Sequence, residues 1–157
     1  MRISEINEGV SLLANIGVIA SIVFLGLEMQ QNTEMMQSQT RNSIVEHQLS
    51  FYERVVDHKD FAQAAADFRL DANAYSEGTA EDLQYRLWII SQLRMWENEF
   101  YQLQAGLYDS DEFEPRTNVW RRQIAIAATE AVWRRTEDSF TPNFRNYLNG
   151  IIAEMSL

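Results

Sequence analysis

The sequence predicts an all-α protein in which one membrane-spanning helix continues into a small helical bundle. Three observations predict it. Residues 9–27 form an uncharged run of 19 positions, thirteen of them apolar. From residue 44 onward, apolar side chains recur at three- and four-residue spacing, the period of a helix. Nowhere do apolar and polar residues alternate as in a half-buried strand, and no hairpin turn dipeptide occurs.

Composition narrows the possible chemistry. With 157 residues and 46% hydrophobic residues, the chain can build one domain-sized core. It has no cysteine, which removes disulfides, cysteine-held metals and thiol nucleophiles. Its formal charge of −10 opposes binding to DNA, since phosphate neutralisation needs clustered basic residues. The basic residues are twelve Arg and the single Lys59, so forked pairing with the 23 acidic residues is expected.

Residues 1–8 read as a short tail and residues 9–28 as the transmembrane helix. At about 1.5 Å per residue the uncharged run reaches roughly 28 Å, close to the hydrocarbon thickness of a bilayer. A cleaved signal fits poorly, because Glu5 and Glu8 face only Arg2 before the run and Glu28-Met29-Gln30 follows it. So few charges flank the span that the positive-inside rule has little to count. The short tail of near-zero charge is easy to translocate, which favours a single-pass protein with its carboxyl-terminal domain in the cytoplasm. Inside the span, Ala14, Gly17 and Ser21 form a small-residue stripe, and Asn15 places an amide beside it. Small side chains let helix backbones approach closely in lipid, so self-association is expected there.

Residues 29–43 read as a polar juxtamembrane helix or stalk, rich in Gln, Asn, Ser and Thr, with Met35 and Met36 as its apolar residues after Met29. No Gly or Pro interrupts residues 27–77. The bundle is expected over 44–157. Its first helix should bury Val45, Leu49, Tyr52 and Val56, flanked by Ile44, Phe51 and Val55. After the charged joint 57–60, Phe61, Ala65 and Phe68 begin a short helix, and 71–79 reads as a loop. Thr79 and Asp82 resemble a capping box opening a helix from about Ala80 to Leu107, with Gly106 as its left-handed stop. Leu83, Leu87, Ile90, Leu93, Phe100 and Tyr101 are its expected apolar arc. Asp109 or Asp111 should cap a helix with Phe113, Trp120, Ile124, Ala127 and Ala131 on one side, where Pro115 suits only the first turn. Val132 and Trp133 lie on its continuation or on a short helix after a bend. Thr141-Pro142 starts the last helix, in which Phe144, Leu148, Ile151 and Met155 repeat.

Chemistry-bearing motifs are scarce. Phosphate-cradling glycine loops, the His-Glu-x-x-His pair and the nucleophile elbow are absent, and His47 and His58 lack a Glu three residues upstream for a di-iron helix motif. No metal and no cofactor is therefore expected. Arg94 and Glu97, three residues apart on the apolar arc, are a candidate buried ion pair that would fix packing register.

One short pattern points to an enzyme. Arg41-Asn42-Ser43-Ile44-Val45-Glu46-His47 resembles the Arg, four to six residues, His motif of HEPN-type RNases. That resemblance implies His47 in acid–base chemistry and Arg41 on phosphate, as candidate catalytic residues.

A longer resemblance comes from Gly17 through Leu27, closing in Glu28-Met29-Gln30-Gln31-Asn32-Thr33, then Trp96-Glu97-Asn98 to Gly106-Leu107, and Phe140-Thr141-Pro142 with Phe144. These stretches look like a family of small bacterial proteins with one amino-terminal membrane helix ending in a Gln-Asn-Thr signature. The family implies the topology and no activity. A Pro-Gly break expected around 126–130 is missing, so the path of the fifth helix stays open. The favoured expectation is a membrane-anchored interaction or scaffold module whose partners are the lipid bilayer and further copies of itself, with no protein partner defined. The alternatives are a membrane-anchored RNase using Arg41 and His47, and an oligomeric channel lined from Gln30 to Ser43.

Overall fold

The computed structural model describes residues 3–156 and contains six α-helices and one 3-10 turn among them. The fold class is as expected, an all-α chain whose long apolar first helix precedes a bundle. Residues 1–39 and 40–157 form two compact units, and helix α1 (Ile3–Asp57) carries sequence from both. Arg2 and the side chain of Glu5, which enter the flanking-charge count, lie outside the described residues.

In the first unit every side chain from residue 7 to residue 39 is exposed. Backbone hydrogen bonds within the helix satisfy its main chain here, the arrangement a lipid environment would require. Ser21 donates its hydroxyl to the Gly17 carbonyl at 2.7 Å, and Thr33 does the same to Met29 at 3.0 Å, so neither hydroxyl is left without an acceptor. Among the described residues one helix is long and apolar enough to cross a membrane.

The second unit packs the end of α1 with α2 (Lys59–Leu70), α3 (Ala80–Gln104), α4 (Ser110–Ile124), α5 (Ala127–Thr136) and α6 (Pro142–Met155). Helix α3 is central and touches α2, α4 and α5. His58, at φ −123° and ψ 88°, ends α1, and residues 71–79 form the loop. Thr79 accepts from the Asp82 N–H at 3.3 Å, while the Asp82 carboxylate accepts from Gly78 at 2.9 Å. The capping box closes, one residue early on its return arm. At the other end Gly106 adopts φ +72°, and the N–H groups of Gly106 and Leu107 return to the carbonyls of Leu103 and Gln102. That is a complete Schellman stop, which glycine adopts without strain.

Asp109 caps α4 through the Asp111 N–H at 2.7 Å. Pro115 lies in the second turn, further in than expected, at an exposed position where the carbonyl it cannot pair with can face water. Extended Ile126 (ψ 121°) supplies the break between α4 and α5 without Pro or Gly. Trp133 therefore belongs to a short helix after a bend.

The core is aromatic. Trp96 stacks on Trp120 at 5.3 Å and meets Phe144 edge-on at 5.6 Å, and Phe68 stacks on Tyr85 at 4.3 Å. Offset and edge-on pairs of this kind contribute about 0.5–1.5 kcal/mol beyond burial.

Several expected faces are rotated. On α1 the residues turned inward are Ile44, Gln48, Phe51 and Val55, whereas Val45 (47%), Leu49 (55%), Tyr52 (59%) and Val56 (81%) are exposed. Two apolar stripes run side by side on this helix, and the inner one carries Gln48 because that amide reaches a buried carboxylate. On α3 the buried residues are Tyr85, Ile89, Leu93, Trp96 and Glu99; of the expected arc, Leu83, Leu87 and Tyr101 face solvent. On α5, Ala128, Thr129 and Val132 are buried in place of Ala127 and Ala131, since the bend at Ile126 resets the phase. On α6, Ile152 takes the buried place expected of Met155.

Candidate functional site: a buried carboxylate beside an apolar groove

Sequence reasoning missed the most unusual residue of the bundle. Glu99 sits on the buried arc of α3, three residues after Trp96, with no exposed surface. A carboxylate so placed needs donors from every side. Arg116 Nε spans both of its oxygens at 3.1 and 3.2 Å, Trp120 Nε1 donates at 2.9 Å, and Gln48 Nε2 lies at 3.4 Å. Arg116 and Trp120 are one turn apart on α4, and the guanidinium lies 4.6 Å from the Trp120 ring centre. One side chain of α3 thereby ties α4 and the end of α1 to the centre of the bundle. Its lone pairs are committed to these donors, which suits a structural anchor more than proton abstraction. The signal available in the sequence was an acid on an otherwise apolar arc, matched by an Arg and a Trp at i, i+4.

Gln48, Arg116 and Trp120 also form part of the wall of a groove of about 470 Å³. The rest of the wall is largely apolar, from Phe51 and Val55 of α1, Ala62 and Ala65 of α2, Trp88 and Met95 of α3, and Val119 of α4. Its size falls within the range of small-molecule sites. Apolar groups fill such a groove most favourably, with amides of Gln48, Gln92 and Gln123 available at its edges. The indole Nε1 of Trp88, on the same wall, is buried with no acceptor. Tyr85 also contributes; burial pushes its phenol above the ordinary value, against the hydrogen bond with Thr129 at 3.1 Å.

Arg94 and Glu97 do meet, at 2.7 Å, as a pair with one half-exposed partner. Arg94 reaches on to the Ser139 carbonyl at 2.8 Å and lies over the Phe140 ring at 4.0 Å. The other oxygen of Glu97 accepts the Thr141 N–H at 2.7 Å. Thr141 is the residue before α6 and makes no side-chain cap of its own. Glu97 thus performs from α3 what the third residue of a helix does in a capping box, a position here held by Phe144. Burial raises the Glu97 carboxyl, but the Thr141 and Arg94 donors together outweigh it and hold the group below its ordinary value.

Arg41 and His47 are not brought together within the chain. Six residues apart on one helix, they point about 120° apart around its axis. Arg41 pairs with Glu112 at 2.8 Å, and His47 is exposed. Ala14, Asn15, Gly17 and Ser21 lie exposed on α1, and a Cβ built on Gly17 meets nothing within 4 Å. Among the described residues no group of three His, Asp or Glu side chains is placed to hold a metal ion. His58 borders a second, open hollow with Asp57, Asp60 and Trp88.

No protein-family model, no curated protein and no solved structure matches the chain.

Proposed function

We propose that the protein is a bilayer-anchored helical interaction module of the bacterial inner membrane, self-associating through its span, with the bundle on the cytoplasmic side. The observation that carries this reading is the first part of α1, where Leu12, Leu13, Ile16, Val18, Ile19, Ile22, Val23, Phe24, Leu25 and Leu27 are all more than half exposed. Each large apolar side chain gains about 1.5–3 kcal/mol on leaving water, so this segment calls for an apolar cover. A bilayer fits its length. The bundle in turn has a structural carboxylate and an apolar groove, which supports binding over catalysis.

Fractionation of cells expressing the full chain tests the anchor. The protein is expected in the alkaline-carbonate-resistant membrane pellet, with a carboxyl-terminal fluorescent fusion active and protected from external protease. A monodisperse protein in buffer without detergent would overturn the anchor, and alkaline phosphatase activity of the same fusion point would reverse the orientation. Replacing Gly17 and Ser21 together with Ile should lower the particle mass in detergent. Since an added Cβ at Gly17 meets nothing in the chain itself, that loss would report helix–helix contact. RNA cleavage abolished by His47→Ala would replace this reading by the RNase, and unitary conductance in planar bilayers would replace it by the channel.

A further inference from the structure

The bundle leaves one ordered apolar face uncovered. Val45, Leu49, Tyr52 and Val56 are spaced by four, three and four residues, and all four are exposed beside the inward-turned stripe of the same helix, with Tyr52 and Val56 also at the edge of the apolar groove. A 4-3-4 spacing is that of a coiled-coil seam, in which knobs of one helix enter holes of an identical facing helix. We infer that this face is the seam of a parallel, in-register contact with the same four residues of a second copy of the chain, an inference that rests on the membrane-anchored, self-associating reading above.

Three features select a second copy as the occupant. The first is orientation. Spans inserted with the same topology deliver their following helices to one side of the membrane in parallel, at the high effective concentration that tethering creates. The second is the register of the sequence. A step of three back from Val45 reaches Asn42, and beyond it the same steps meet Ser38, Met35, Gln31 and Glu28, so the seam is confined to residues 42–56. A repeat of 3.5 residues drifts about 20° per heptad on a straight helix, and left-handed supercoiling takes up that drift. Asn42 then occupies a core position where an amide favours two strands in register.

Charge is the third feature. In this register Arg41 flanks the seam on one side and Glu46 on the other, five residues on, which is the pairing made between the two helices of a parallel coiled coil. Arg41 uses its Nε on Glu112, and a guanidinium carries five N–H donors in all. The exposed part of the seam is only about two heptads long, too short to hold two helices together in water unaided. Membrane tethering is what makes the contact stable.

The absence of cysteine makes the test direct. Full-length Leu49→Cys, Tyr52→Cys and Arg54→Cys variants are oxidised in native membranes with copper phenanthroline. Positions 49 and 52 face their counterparts across the seam, and position 54 points away. Disulfide dimers should form roughly tenfold faster at 49 and 52 than at 54, because the bond requires Cα atoms within about 7 Å. Equal rates at the three positions, or mixed disulfides to other proteins in place of dimers, would overturn the seam. Carbonate extraction and subunit counting by photobleaching on the same membranes separate the two levels. Loss of the protein from the pellet, or single subunits throughout, removes the anchored self-associating reading. Anchored dimers without preference for 49 and 52 remove the seam alone. In a second variant, Leu49→Glu with Tyr52→Glu, dimers should decrease while near-ultraviolet circular dichroism of the aromatic core is unchanged.

Discussion

Helix α6 and the first 39 residues contain comparable apolar side chains and use them in opposite ways. On α6, Phe144, Leu148, Ile151 and Ile152 are buried on one side while Asn143, Asn146 and Gly150 face solvent. In residues 10–27 the apolar side chains surround the helix and none is buried. A one-sided pattern supplies its own cover by packing on neighbours, and an all-round pattern requires an apolar solvent. The stretch from Val45 to Val56 is intermediate. It has two adjacent stripes, one satisfied by the bundle and one left over, which is why it is the place to look for a contact with another molecule.

The comparison is broken most sharply by attacking what holds the bundle inward. Glu99→Ala strands the Arg116 guanidinium and the Trp120 N–H in the core, and loss of one partner of a buried pair costs about 3–5 kcal/mol. Thermal unfolding of the aromatic signal in detergent should move down by many degrees, while carbonate resistance of the anchor is unaffected. Trp133→Ala, which removes a fully buried indole and its hydrogen bond to Asn149 at 2.9 Å, should cost about 3–5 kcal/mol as well. Each measured on the full chain, these variants show whether the bundle can fail while the anchor persists.

Smaller effects sharpen the contrast. Asp109→Ala deletes the cap of α4 and should cost about 1 kcal/mol, read from the urea midpoint. Titration separates the two regions further. Glu97 is held below its ordinary value of 4.5, so in the folded bundle it stays ionised where the unfolded chain binds a proton. Its contribution to stability is present above that value and is lost as pH falls through the lower folded value. Arg94→Gln should raise the Glu97 pKa, seen by side-chain carboxyl NMR, and reduce the acid sensitivity. Tyr85, Tyr108 and Tyr147 are raised above 10.0, in each case by burial first. Their contributions are complete below that value and decline as pH rises through the folded values, so alkaline unfolding should set in above about pH 10.

Much of the helical outline was legible because it rests on local chemistry. Thr79, Gly106, Asp109 and the Thr141-Pro142 pair are start and stop residues whose effect is exerted within a few positions. Rotation about each helix was less legible. Val45, Leu49, Tyr52 and Val56 make a more regular apolar stripe than Ile44, Gln48, Phe51 and Val55, yet the second is the one turned inward, with Gln48 on Glu99. That partner lies 51 residues away, beyond the reach of any periodicity. The Arg94 and Glu97 pair was visible as neighbours on a helix, while its connection to Thr141, 44 residues on, needed the fold.

The donors around Glu99 also impose an order on synthesis. Gln48 leaves the ribosome first, the carboxylate follows, and Arg116 and Trp120 come last. Until residue 120 has emerged, a nascent bundle holds a glutamate that cannot enter a dry interior, so its central helix stays wet and its aromatic faces stay open. Compaction around the ionised carboxylate is thus expected to follow the synthesis of α4.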